Sequence, residues 1–285
     1  MTTPRLAINT GYGRLYRLPS TPAENVEDWR ASVESGLLVP SVTNVIGVMD
    51  KPYLQAWHAK LAAEEAVAVV MEHPNLVAEK PEKAQKWFKE AAKRYTEGAA
   101  DIGDRVHDSV ERLSRGEEDF TADEDIEAFV TSWKKFVKEF EPEFLHLEAT
   151  CYGWVPADDD GPPLGYAGTA DFIARIRGKV VVGDYKSGKA VHTEAGIQLS
   201  SLAHAEMITL EDDSLVPMPA VDGGIAVHLR RSGFSVYPVT VDGVAWDAFC
   251  KCRRLWNFHA ENLHSRAPLL LGSALSKLPD AGLTF

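Results

Sequence analysis

The segment around Arg177-Gly178 constrains this chain more than any other part of it. The flanking stretches 166–176 and 179–186 are rich in Tyr, Thr, Phe, Ile and Val, and a two-residue link ending in Gly is a hairpin signal. With that link as the turn, Ile176 faces Lys179. Counting back along both strands, Asp171 faces Asp184 on the same side, with β-carbons roughly 5 Å apart. A sheet ordinarily avoids two like charges so placed, and a divalent cation between them removes the objection. Hard oxygen ligands at this spacing suit Mg²⁺ or Mn²⁺. Lys186 lies two residues beyond Asp184 and projects from the same face. Its ammonium can orient an attacking water or stabilise charge developing on a phosphate. The competing reading is an exposed hairpin with two solvated carboxylates and a partnering lysine, and a one-residue slip would turn these side chains to the other face.

The rest of the chain frames this hairpin. Residues 1–40 are rich in Pro, Gly and polar residues and read as an irregular lead-in. From Ser41, which with Thr43 is a candidate helix cap, to residue 142 the texture is helical, with stretches over 53–72, 81–95, 97–113 and 125–140. After Pro142 it changes to strands over 144–155, 166–176 and 179–186, a helix over 193–208, a second hairpin over 224–231 and 233–239, and a helix over 244–263. This order gives an α/β (α+β) core over 143–285, carrying a helical N-terminal elaboration over 41–142.

Four further features bear on chemistry. Gly103, His107 and Glu111 recur at helical spacing and share one face, so His107 is either a metal ligand or an ordinary core histidine. Glu148, inside a strand, is either a further carboxylate of a metal site or an outward-facing residue. Gln198 sits in the first turn of a helix, where N–H groups favour an anion and an amide can bind a phosphate oxygen. Lys83, Lys86 and Lys93 recur around Trp87, and Arg253 and Arg254 flank Trp256. These are candidate basic tracks with rings for stacking, or solvated faces laced with ion pairs.

Composition narrows the partners. The chain has 30 Lys+Arg against 42 Asp+Glu, a net charge of -12 over 285 residues. That excludes coating nucleic acid through bulk positive charge but leaves room for a local basic groove leading to a metal. Three cysteines, Cys151, Cys250 and Cys252, are too few for a disulfide framework or a four-cysteine cluster. No stretch reads as a signal peptide or a membrane span, and the expectation is a cytoplasmic protein.

Taken in order, these elements resemble the PD-(D/E)XK nuclease superfamily, in particular its RecB-like exonuclease branch, which includes CRISPR-associated RecB-like and bacteriophage exonucleases. The matching residues are G-x-x-x-H-x-x-x-E at Gly103 to Glu111, the strand glutamate Glu148, G-x-x-D at Gly168 to Asp171, D-Y-K-S-G-K at Asp184 to Lys189, and Gln198-Leu199. They span roughly residues 98–208. The resemblance implies a restriction-endonuclease-like core, a central mixed sheet flanked by helices. It implies a metal-dependent DNA exonuclease acting in phage or bacterial recombination or repair, in the host cytoplasm. Mg²⁺ or Mn²⁺ would be held by Asp171, Asp184, His107 and the Tyr185 carbonyl. Lys186 would be the water-positioning lysine, Gln198 an accessory residue and Glu148 a supporting carboxylate. Single-stranded DNA or DNA ends would be the substrate, with a recombination protein as a possible partner. The alternative is a catalytically weak DNA-binding or assembly protein on the same fold. Two departures stand out. Leu202 occupies the position where the branch often has a tyrosine, and the cysteines are too few for the iron–sulfur cluster that many relatives carry, so none is expected.

Overall fold

The computed structural model describes residues 6–10, 13–18, 37–117, 122–159, 161–210, 212, 214–241 and 243–262. Its centre is a seven-stranded mixed sheet built outward from the expected hairpin. β5 (Leu164–Ile176) and β6 (Lys179–Lys186) pair antiparallel, Ile176 against Lys179 and on to Phe172 against Gly183. Arg177 and Gly178 both have positive φ, 50° and 80°. A two-residue turn of that kind matches the twist of its strands. β4 (Glu143–Val155) lies along the other side of β5.

The remaining strands extend the sheet at both ends. β6 runs parallel to β9 (Gly223–Arg230), which pairs antiparallel with β10 (Gly233–Val239). Beyond β4 come β7 (Met207–Thr209) and β8 (Leu215–Pro217), giving the order β10-β9-β6-β5-β4-β7-β8. The lead-in differs from expectation. β1 (Ala7–Thr10), β2 (Gly13–Arg17) and β3 (Leu38–Pro40) form a separate three-stranded antiparallel sheet. Leu15, Tyr16, Leu38 and Val39 are buried beneath it, so its few apolar residues are what anchor it to the main body.

Helices cover both faces of the large sheet. On one face lie α1 (Val42–Ile46), α7 (Glu194–Ala203) and α8 (Gly243–Asn262), packed over Cys151, Ile173, Val182 and Ala226. Ser41 caps α1, its Oγ accepting from the Asn44 amide at 3.0 Å. On the other face α5 (Ala91–Ser114) and α6 (Glu127–Phe140) set Val106, Val110, Trp133 and Phe136 against Phe172, Val181 and Tyr185. Three further helices, α2 (Pro52–Glu72), α3 (Pro74–Glu79) and α4 (Pro81–Lys89), precede α5, and α2 buries none of its residues.

The helix expected over 193–208 stops at Ala203. The Glu206 amide bonds the Tyr152 carbonyl at 2.8 Å, and residues 207–209 become β7 on the edge of β4. An unpaired strand edge offers the chain more there than another helical turn. Among the described residues no helix is long and apolar enough to cross a membrane. The chain is a mixed α/β protein with a large mixed sheet flanked by helices, and His107, Glu148, Asp171, Asp184, Lys186 and Gln198 meet where β4, β5 and β6 run side by side.

Candidate metal centre

Register brings the acids together. The pairs Leu147–Phe172 and Ala149–Ala170 place Glu148 opposite Asp171 across β4 and β5. On the far side of β5 the ladder with β6 ends at Phe172–Gly183, one step short of Asp171 and Asp184, and the Tyr185 amide bonds the Asp171 carboxylate instead. Three adjacent strands thus each bring one carboxylate to the same cavity. Asp171 alternates with Ile173 and Asp184 with Val182, both on the face covered by α7. From α5, His107 brings its Nε2 to 3.8 Å from Asp171 Oδ2, and its ring lies 4.3 Å from that of Tyr185. Gly103, one turn earlier, faces the loop after β6, where a β-carbon would make an ordinary 3.8 Å contact with Ser187 Oγ. Ligand atoms of His107, Glu148 and Asp171 all lie within 4.8 Å of one another.

The backbone at Glu148 carries strain. Its φ is +49°, in the left-handed region that costs an L-residue about 1–2 kcal/mol. Such strain persists where the surroundings over-determine it, and it clusters at functional sites. Tyr185 helps fix the arrangement. Its amide donates to Asp171 Oδ2 at 2.8 Å and its hydroxyl to Glu148 Oε1 at 3.4 Å. The tyrosine expected to act through its carbonyl thus also contacts the acids through its amide and its side chain.

Asp184 stands beside the three-ligand group. Its Oδ1 accepts from Lys186 Nζ at 2.7 Å and from Gln198 Nε2 at 3.2 Å. Its Oδ2 is buried and has no hydrogen-bond partner, an orphan of the kind that a missing cation explains. Gln198 accordingly positions a carboxylate. Glu111 turns to Arg115, 2.9 Å away.

The electrostatics of the cluster favour a cation. Burial, then the Asp171 charge, pushes Asp184 up to about 6. Asp171 is likewise raised to about 6, mainly by burial. Burial and the neighbouring Asp171 and Glu111 raise Glu148 to about 8. His107 is held below its usual value by burial, which keeps an imidazole neutral and able to ligate. Burial alone would lower Lys186, but Asp184 and Asp171 outweigh it and raise the ammonium above its ordinary value. One ammonium faces three carboxylates. Without another positive charge the site must take up protons, and a hard divalent ion answers the same deficit with oxygen and imidazole donors already in place. This buried His/Glu/Asp group can hold a metal ion.

One cavity, of about 180 Å³, is lined by His107, Glu148, Asp171, Asp184, Lys186 and Gln198 together. It is also lined by Arg14, Tyr16, Ser41, Thr43, Thr169 and Leu202. Sequence reasoning assigned no site role to Arg14, Tyr16 or Thr169, because the lead-in has no periodicity to place them. A larger groove of about 730 Å³ runs along β4 and shares only Glu148 with this set.

The basic tracks fare unevenly. Lys83, Lys86 and Lys93 are exposed, with Lys93 3.8 Å from Glu97. Trp87 is half-exposed, yet its Nε1 donates to Glu65 and the Arg94 guanidinium lies 3.7 Å over its ring. Arg253 corrects the expectation of a DNA contact. It is 3% exposed, and its Nε donates to the Gly165 carbonyl at 2.9 Å. Arg254 is tied to the Pro156 carbonyl and to Asp158, each at 2.6 Å. Arg253 thus fastens α8 to β5, and Arg254 fastens it to the β4–β5 connection.

No family model matches the chain, and no curated protein matches it. Among solved structures it is similar to one titled "Crystal structure of SSO0001", at 18% identity and a TM-score of 0.27, over 63% of this chain and 86% of that one. The description of the site therefore rests on the chain's own residues.

Proposed function

We propose that the chain is a Mg²⁺- or Mn²⁺-dependent deoxyribonuclease, an exonuclease of the RecB-like branch of the PD-(D/E)XK superfamily, with its sheet as the restriction-endonuclease-like core. The observation that carries this reading is the cluster of Glu148, Asp171 and Asp184 beside a neutral His107, with the Lys186 ammonium bonded to Asp184. A chain has little reason to bury Asp171 and Asp184 next to Glu148 unless a cation joins them.

His107, Glu148 and Asp171 would hold the ion, with Asp184 offering its unpaired Oδ2. Bound there, the ion would supply Lewis-acid neutralisation of the scissile phosphate and help generate the nucleophile. Lys186 stays protonated because Asp184 holds its Nζ, so it presents N–H donors to a water or to phosphate oxygen. Gln198, in the second turn of α7 and not the first as its sequence suggested, fixes the Asp184 carboxylate. Tyr185 sets Asp171 and Glu148 through its amide and hydroxyl. The leaving group is the 3′-oxygen of the strand.

The test is digestion of end-labelled single- and double-stranded DNA with Mg²⁺ or Mn²⁺, alongside a circular single strand that only an endonuclease opens. Metal-dependent release of nucleotides, lost in Asp184→Ala and with the circle intact, supports the reading. Wild-type protein that binds DNA but never cuts it in either metal is instead a binding or assembly protein on this fold.

A further inference from the structure

The cavity has two chemically different ends. One holds the acids. The other is lined by Arg14 from β2, Tyr16 beside it, Ser41 and Thr43 at the start of α1, and Thr169 from β5. Its hydroxyls are linked in pairs, Tyr16 to Thr169 at 3.1 Å and Ser41 to Thr43 at 3.1 Å. Arg14 lines the cavity beside Tyr16, and its Nε reaches Asn9 Oδ1 at 3.5 Å. Among the described residues no carboxylate pairs with Arg14, although three acids line the same cavity. An arginine cannot shed its proton to suit such surroundings, and its planar fork matches phosphate oxygens. A volume of about 180 Å³ suits the sugar-phosphate of one strand and is too small for a base pair.

We propose that Arg14, with the hydroxyls of Thr43, Tyr16 and Thr169, forms a binding subsite for the phosphate next to the scissile one on a single nucleic-acid strand. The inference rests on the nuclease reading and deepens it. The small N-terminal sheet becomes part of the substrate site, and the strand lies with one phosphate at the metal and its neighbour at Arg14. Arg14 is then a substrate-binding residue for the same reaction, acting on strand affinity and placement.

The test is binding of a fluorescein-labelled single-stranded DNA oligonucleotide by anisotropy across a salt series. It uses protein carrying Asp184→Ala so that the strand stays whole. Adding Arg14→Gln is expected to weaken binding roughly tenfold and to lower the salt slope by about 0.7, the share of one phosphate contact on a single strand. Adding Arg14→Lys, which keeps the charge, is expected to restore the slope. Thr43→Val, at an exposed position, is expected to weaken binding several-fold without touching the arginine, and it carries the test should Arg14→Gln not fold. Unchanged affinity and slope in Arg14→Gln, or in Thr43→Val when it stands in, overturn the subsite. Cleavage of the same oligonucleotide by wild-type protein with Mn²⁺ is measured in parallel. If the wild type neither binds nor cuts, the nuclease reading falls and the subsite with it. If it cuts and Arg14→Gln matches it in KM and salt slope, the subsite alone is wrong.

Discussion

Replacing Glu148 by glycine is expected to make the metal-free protein more stable and to cripple the site. The residue holds φ at +49° inside a strand. Relieving that conformation is worth about 1–2 kcal/mol, and glycine gives back about 0.5–1 kcal/mol in unfolded-chain entropy. The Tyr185 hydroxyl loses an acceptor 3.4 Å away, a long bond with little to lose. The net gain is about 1 kcal/mol, a rise of roughly 0.3–0.5 M in the urea midpoint. It should grow with pH. Glu148 is raised from its ordinary 4.5 to about 8, first by burial and then by Asp171 and Glu111. A raised acid contributes stability in full below its unfolded value and loses that contribution as pH rises through its folded value. The advantage of the variant therefore widens between about pH 4.5 and 8. Glu148→Gln separates the two causes, since it keeps the strain and removes only the charge. Urea unfolding in EDTA at pH 6 and pH 8.5, repeated with Mn²⁺, is the assay. A glycine variant less stable than wild type at both pH values, with Mn²⁺ stabilisation intact, would refute the reasoning.

Further outcomes follow from particular contacts. Asp171 and Asp184, both raised to about 6, lose their stabilising contribution as pH rises from about 4 through 6, so the melting temperature in EDTA should fall over that range. Mn²⁺ should restore it more at pH 8 than at pH 5, as calorimetry would show. Arg253→Ala should cost about 1–3 kcal/mol in urea unfolding by stranding the Gly165 carbonyl, with DNA affinity unchanged. Gly183→Ala places a β-carbon inside the Phe172 ring and should cost about 1–3 kcal/mol in the same assay.

The β5–β6 hairpin was legible because one turn fixes it. Arg177-Gly178 sets the register, and every pair from Ile176–Lys179 to Phe172–Gly183 follows by counting. Lys186 followed from strand alternation, and its bond to Asp184 agrees. Glu148 could not be placed the same way. The link between the two strands, DDDGPP, reads as an exposed loop, yet Asp158 and Gly161 pair across it, and counting from that pair sets Leu147 against Phe172 and so Glu148 against Asp171. The shift between Phe144 and His146 lies beyond Glu148, away from that connection, and leaves its register unchanged. The N-terminal sheet was hidden for a related reason. β3 is three residues long and finds its partner across a long connection, and the bridge from Ser41 to Ala167 spans even more chain. Such pairings leave no periodic trace, so the residues of the cavity's second end went unread. Arg253 misled because charge beside an aromatic reads the same whether the pair faces solvent or packs inward. Only the Gly165 carbonyl, far away in sequence, settles which.

The central claim is a divalent-metal centre at this cluster of acids, and locating the ion tests it most directly. Crystals of the wild-type protein would be soaked in Mn²⁺ and measured at an anomalous wavelength. The account predicts a peak within about 2.6 Å of His107 Nε2 and of carboxylate oxygens from Glu148 and Asp171, lost in Asp171→Asn. Mn²⁺ bound elsewhere, or no peak with these three side chains ordered, would contradict it.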